Sequence, residues 1–353
     1  MRRSPLGLVA CSFLLSAAPS PAGVAWYPDR VPAATLIVPF FETGIDVATT
    51  SDDTLLMVAN RANANRIIHY TVWDRRGVSV FSGNVTLGSH GQWTASMRDL
   101  IAPQSEGTKA ALTVNGRAYR GFLSIDVVTT PTNLNPKQAG YPFSMANDLE
   151  GFVYYTRLAK GTANGLSMVP LEAFTQDMRF LGFYGSSDRR ERITDAARSC
   201  ASYMISDLTI TGPTECPSLF DNKISNLENR LFGSTPLNGR TRLVVFMWNP
   251  RVSAKGPSDY CVKNPHHVAC ETYGTSYPLK VFRESGAQDS VSSAVLTDVI
   301  QVFEYSLPFS GRLRLENIPD YGQLPYAFAF NSGFPSAHPE LTWDAVFEGN
   351  VLP

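Results

Sequence analysis

What this 353-residue chain lacks already narrows its chemistry. Only 17% of its residues are charged, and 30 basic side chains face 31 acidic ones. No excess of one sign therefore draws it to nucleic acid or to an anionic membrane surface. There is no G-x-x-x-x-G-K-[ST] loop, and no G-x-G-x-x-G follows an apolar run, so nucleotide binding has no support. The signatures H-E-x-x-H, C-x-x-C-H and G-x-S-x-G are missing as well, which removes the sequence signal for zinc proteolysis, haem attachment and a nucleophile elbow. No internal segment approaches the roughly 20 apolar residues that a membrane-spanning helix needs. The apolar run "TRLVVFMW" (Thr241–Trp248) is the length of a strand.

What is present begins at the N-terminus. MRRSPLGLVACSFLLSAAPSPAGVA has Arg2-Arg3 as a basic start, an apolar run from Leu6 to Ala18, and Pro19 and Pro21 before small residues. This layout predicts a secretory signal peptide over residues 1–25, cleaved after Ala25, with Ala22 as the alternative. Leu8-Val9-Ala10-Cys11 has the shape of a lipoprotein cleavage box, although few apolar residues precede Cys11 and the run continues past it. With Cys11 removed, Cys200, Cys216, Cys261 and Cys270 remain. An even set in an exported chain predicts two disulfides, most simply between sequence neighbours, although three connectivities are possible. Neither Cys200 nor Cys216 belongs to a C-x-x-C pair, which favours a staple over redox chemistry. In "CVKNPHHVAC" a Cys261–Cys270 bridge would consume the thiolates that zinc requires and leave His266 and His267 at a loop tip.

Along the chain, apolar runs of strand length alternate with turn signals. "ATLIVPFFE", "TLLMVAN", "IIHYTVWD", "VSVFSGNVTL" and "QWTASM" predict consecutive strands, with turns at Arg75-Arg76-Gly77 and Ser89-His90-Gly91. In "IIHYTVWD", Ile68, Tyr70 and Val72 share one face and His69, Thr71 and Trp73 the other. Ser96 is placed to cap one helical turn at "MRDLI". Asn115-Gly116, between "ALTV" and "RAYRGFLSIDVV", is a two-residue hairpin signal because both positions need positive φ. "SDRRERITDAARSCASYM" and "SLFDNKISNLENRLFG" instead carry helical spacing, the second through Leu219, Ile224, Leu227 and Leu231 with Gly233 as a stop. Strands resume at "TRLVVFMWN", "YPLKVFRE", "LTDVIQVFEYSL", "GRLRLENI", "PYAFAFN" and "TWDAVFEGNV".

No alternation of strand and helix is present, so the expected class is mainly β: two antiparallel sandwich lobes, immunoglobulin-like or jelly-roll-like, with a small helical insertion. The expected boundaries are 26–174 for the N-terminal lobe, 175–238 for a helical, disulfide-stapled insertion and 239–353 for the C-terminal lobe. "TLIVPFFETG", "TLLMVAN", "YTVWDRRGVSVFSGNVTLGSHGQWTASMRDLI" and "LTWDAVFEGNV" resemble a group of uncharacterised exported bacterial proteins. That resemblance implies a β-sandwich and carries no functional residue with it.

Three sets of side chains are candidates for a site. "FETGIDVATTSDD" gathers Glu42, Asp46, Asp52 and Asp53 in one connection, and several oxygens close together suit calcium. His69 and Trp73 share a strand face and Trp93 follows a turn, so they could form an aromatic platform for a sugar or a protein. The five histidines (His69, His90, His266, His267, His338) and the serines beside glycine leave a serine-type site open, since a triad is only loosely tied to sequence order. The composite expectation is an exported, non-enzymatic binding or structural module of the cell envelope or extracellular space. Its partner would be an extracellular polymer or protein, or a second copy through a strand edge. An extracytoplasmic polymer hydrolase and a subunit of a surface filament or layer are the alternatives.

Overall fold

The structure is a computed structural model that describes residues 32–45, 52–138, 140–157, 162–173, 190–191, 205–206, 209–210, 224–231, 240–248, 275–296, 298–305, 309, 311–319, 324–332, 345–348 and 350–352. The expected signal peptide, all four cysteines of the stapled set and Asp46 lie outside them.

The N-terminal part runs β1 (Thr35–Gly44), β2 (Asp52–Asn60), β3 (Arg66–Trp73), β4 (Ser79–Leu87), β5 (Gln92–Ser96), α1 (Met97–Ile101) and α2 (Glu106–Leu112). It continues with β6 (Thr113–Val114), β7 (Ala118–Val128), β8 (Leu149–Arg157), β9 (Thr162–Ser167) and β10 (Val169–Ala173). Short strands β11 (Arg190–Glu191), β12 (Ile205–Ser206) and β13 (Thr209–Ile210) follow, then β14 (Ile224–Leu231), β15 (Arg240–Trp248), β16 (Thr275–Arg283) and β17 (Gln288–Leu296). The last elements are β18 (Ile300–Tyr305), β19 (Gly311–Pro319), β20 (Leu324–Ser332), β21 (Ala345–Glu348) and β22 (Asn350–Leu352). The fold is mainly β, as expected, and every pairing among these strands is antiparallel.

The local signals act as their chemistry requires. The side chain of Ser96 accepts from the Asp99 N–H and starts α1. Asn115 and Gly116 both have positive φ, 54° and 64°, and turn β6 into β7. Gly77 has φ 79°, and the Asp74 carboxylate accepts from the Arg76 and Val78 N–H groups to close the turn between β3 and β4. A Cβ at Gly121 would come within 2.1 Å of the Trp73 carbonyl oxygen, so only glycine lets β7 pass there, beside the bulge of β1.

Four sheets stack as layers. The first is β5-β2-β8-β9 and the second β11-β10-β1-β7-β3-β4, with β6 attached to β7. The third is β18-β15-β20-β21 and the fourth β17-β16-β19-β14-β22. Leu36, Leu56, Val58 and Val153 pack between the first two layers. Phe122 and Trp73 of the second layer meet Phe246 and Trp248 of the third. Trp73–Trp248 and Phe122–Trp248 ring centroids are 5.0 and 4.7 Å apart, and Phe122–Phe246 5.2 Å. On the other face of β15, Leu243 and Val245 pack with Leu279, Val281, Leu313 and Leu315 of the fourth layer. β15 is therefore apolar on both faces because both are covered, which explains its unbroken apolar run.

Two expectations are corrected. Ile224–Leu231 is strand β14, not helix: it is hydrogen-bonded to β19 on one side and β22 on the other. Those long-range backbone bonds override the helical spacing of Ile224, Leu227 and Leu231. Arg190–Glu191, inside the other expected helix, pairs with β10. Val244, Phe246, Trp248, Val299 and Ile300, from the expected C-terminal lobe, belong to the same cluster as the core residues of β1, β3 and β7.

Trp248→Ala would remove the ring that touches both Trp73 and Phe122. It is expected to cost about 3–5 kcal/mol, read as a shift of the urea midpoint, with the N- and C-terminal parts still unfolding in one transition.

Candidate functional site

Three of the four acidic candidates do meet. Glu42 at the end of β1 and Asp52 and Asp53 at the start of β2 line one cleft with Phe40, Tyr155, Thr156 and Arg242. They are already partnered there. The Arg120 Nε donates to one Glu42 oxygen, and Arg242 Nη1 donates to the other at 2.9 Å. Burial alone would raise the Glu42 carboxyl. The Arg120 and Arg242 guanidiniums, with their hydrogen bonds, outweigh it and hold the group below the usual carboxylate range. Asp53 accepts from Ser96 Oγ at 2.6 Å and from the Thr54 N–H at 2.8 Å, which ties β2 to the cap of α1. The Tyr155 hydroxyl donates to the Phe40 carbonyl at 3.0 Å, and burial pushes its phenol well up, so it stays neutral. Glu42 is thus held ionised, which disqualifies it as the protonated acid of a glycoside-cleaving pair. Among the described residues, no three His, Cys, Asp or Glu side chains are grouped to hold a metal.

The aromatic candidates separate. Trp73 and His69 are 1% and 0% exposed, so neither is part of an exposed platform. The reason is the layer they face: the side of β3 that carries His69, Thr71 and Trp73 is turned to the third layer and to the 129–143 segment. Trp73 Nε1 donates to Ser124 Oγ at 3.0 Å, and its ring stacks on Phe122. Trp93 is half-buried and stacks on Tyr70, with ring centroids 5.4 Å apart and planes 16° from parallel.

Residue spacing alone did not expose a polar row across four strands. Thr35 pairs with Asp126, Asp126 with His69, and His69 with Asn84. Thr35 Oγ1 and the Tyr141 hydroxyl donate to the two Asp126 oxygens, and the Tyr141 ring meets His69 edge-on. Asn84 donates to the Thr132 carbonyl and accepts from the Thr132 N–H, which fixes its amide. His69 Nδ1, 3.0 Å from the Asn84 oxygen, is then the donor of that hydrogen bond, and Nε2 is buried without a partner among the described residues. A histidine and an acid are therefore neighbours, but both have no exposed surface and lie behind Tyr141 and Phe143. The row anchors the 129–143 segment to the sheet.

The least expected feature is β17, since "QDSVSSAVL" carries too few apolar residues to stand out as a strand. It ends the fourth sheet, pairs only with β16 among the described strands, and carries Val291 and Val295 at 55% and 47% exposure. Alternation of Val291, Ser293 and Val295 against Ala294 and Leu296, after the Ser285-Gly286 turn, is the signal that marks it.

No protein-family model matches the chain, and no curated protein matches it either. Among solved structures, a lectin of Pleurotus ostreatus in its apo form overlaps 92% of this chain and 78% of its own, at 8% identity and a TM-score of 0.18. The lectin from Pleurotus ostreatus in complex with GalNAc overlaps 93% and 83%, at 9% identity and the same TM-score of 0.18. A calcium-binding mutant of Bacteroides uniformis beta-glucuronidase 2 overlaps 88% of this chain but 26% of that one, at 8% identity and a TM-score of 0.14.

Glu42→Gln tests the cleft as a structural ion cluster. The folded-state carboxyl is held below its unfolded value, so its stabilisation is present above about pH 4.5 and is lost as pH falls through the folded value. The variant is expected to be about 3–5 kcal/mol less stable at pH 7, with the gap to wild type closing in acid when denaturant midpoints are compared at pH 7 and pH 3.

Proposed function

We propose that this protein is an exported, non-enzymatic binding or structural module of the bacterial cell envelope or extracellular space, and that it engages its partner by strand addition at β17. The observation that carries this reading is the edge itself. Natural edge strands are blunted by proline, lysine, bulges or short length. β17 is nine residues long and contains neither proline nor lysine. Its one acid, Asp289, is tied to Arg283 beside the turn, and its register shift also lies at the turn end, opposite Val281 and Phe282. Ser290 to Leu296 is left regular, with two valines facing outward. An extended strand of the partner would bond to its backbone and pack on Val291 and Val295.

The basic-then-apolar start of the chain and its even set of later cysteines support export and two disulfides. If both disulfides form, thiol titration of the denatured mature protein without reductant should find none. The rival hydrolase reading asks for a substrate to reach His69 and Asp126, which are sealed, or a protonated Glu42, which two arginines oppose.

A Val291→Lys/Val295→Lys double variant tests the edge. Both positions are exposed, so its Tm should stay within a few degrees of wild type. Its retention on isolated envelope material should fall at least about tenfold, equivalent to 1.4 kcal/mol. Undiminished retention would sink the edge reading, and release of soluble fragments from that material by the wild-type protein would sink the non-enzymatic one.

A further inference from the structure

We propose that the occupant of the β17 edge is a second copy of this chain, paired antiparallel about Ser293 so that the two fourth layers become one continuous sheet. This rests on the reading of β17 as the binding edge and names its partner.

The backbone gives the first reason. In the hairpin between β16 and β17 the Arg283 N–H donates to the Ala287 carbonyl, and the Gly286 N–H to the Arg283 carbonyl. That turns the amide groups of odd-numbered β16 residues toward β17. Their register partners Ser290, Ser292, Ala294 and Leu296 turn theirs back toward β16. The amides and carbonyls of Val291, Ser293 and Val295 therefore point away from β16, toward the edge that no described strand covers.

The side chains give the second. A two-fold axis at Ser293 places Ser293 opposite Ser293 of the other copy, Val291 opposite Val295, and Val295 opposite Val291. All three pairs join residues whose backbone groups face outward, so each forms a hydrogen-bonded pair of an antiparallel ladder. The two exposed valines, 55% and 47% open in the single chain, cover each other on the solvent face. On the inner face Ser292 meets Ala294, two small side chains that let the strands reach sheet spacing. β17 is thus complementary to itself in one register, the property a two-fold interface requires. Moving the axis to Ser292 or Ala294 would still pair outward-facing backbone groups, but it would set Ser293 opposite a valine and part the two valines from each other, so the Ser293 axis is the one that covers both.

The size of the contact sets its strength. Two five-stranded sheets join into one of ten, near the upper end for an open twisted sheet. A single strand pair buries less than the roughly 1,200 Å² of a standard stable interface. Dissociation in the micromolar range, about 10⁻⁶ to 10⁻⁴ M, is therefore expected, so that assembly follows concentration at a surface.

Cysteine crosslinking of the full mature protein reads the register directly. In the proposed pair the two residues 293 are about 5.5 Å apart, so Ser293→Cys should give a covalent dimer with a short bifunctional thiol reagent. In the same register the two residues 290 are displaced by six positions, about 20 Å, so Ser290→Cys should not. Wild type treated in parallel accounts for native thiols, and adding Val291→Lys to Ser293→Cys should reduce the dimer at least tenfold. Crosslinking of Ser290→Cys in place of Ser293→Cys would overturn the register. A wild-type monomer in sedimentation at 100 μM (an upper limit set about tenfold above a 10 μM constant), with neither variant crosslinked, would overturn self-pairing. If that monomer still bound envelope material and lost it in the double-lysine variant, the edge reading would stand and only the second copy would fall.

Discussion

The contact of Trp248 and Phe246 with Trp73 and Phe122 is the constraint on which the rest of the molecule depends. Each layer alone has one face it cannot leave in water. Burying a side chain of this size contributes about 1.5–3 kcal/mol, and aromatic pairs add roughly 0.5–1.5 kcal/mol each beyond area. β15 supplies the matching surface on one side and covers the fourth layer with Leu243 and Val245 on the other. The third layer therefore serves two cores, one on each of its faces.

Polar groups at the borders of that seam are arranged so that burial does not leave them unpaired. Glu42 sits where β1 meets β15 and is clamped by one arginine from β7 and one from β15, so the ion cluster bridges the second and third layers. At the opposite border the row from Thr35 to Asn84 satisfies Asp126 and holds Tyr141 over the sheet. Apolar contact supplies most of the attraction between layers, and these polar sets specify how the layers register, since a shifted stack would strand a buried carboxylate.

Much of the fold was legible because local chemistry and global fold agree. Ser96, Asn115-Gly116 and the Arg75-Arg76-Gly77 turn act through backbone bonds within a few residues, and such signals survive in any context. Leu313 and Leu315 against Arg312 and Arg314 alternate because one face of β19 is wet. Long-range partners decide what was misread. β14 has helical spacing but lies between β19, 80 to 95 residues later along the register, and β22, more than 120 residues later. β17 is serine-rich because it is an edge with little to bury. Trp73 and His69 looked available because the second face of a sheet is usually solvated, and a chain sequence does not say that another sheet will cover it. Glu42, Asp52 and Asp53 were found together because they flank one connection. Their arginine partners Arg120 and Arg242 come from distant strands and could not be read from spacing.

The aromatic seam also sets an order of events during synthesis. Strands β1, β3 and β7 are complete once residue 128 has emerged, and Trp73 and Phe122 are then already assembled on one face. The strand that covers them ends at Trp248, 120 residues later. At roughly 5–20 residues per second, that face stays wet for about 6 to 24 seconds, far longer than a sheet of this size needs to collapse. The growing chain thus passes through an interval in which its stickiest surface is finished before its cover exists. Either a holding factor shields that surface, or the first sheets remain unassembled until β15 arrives.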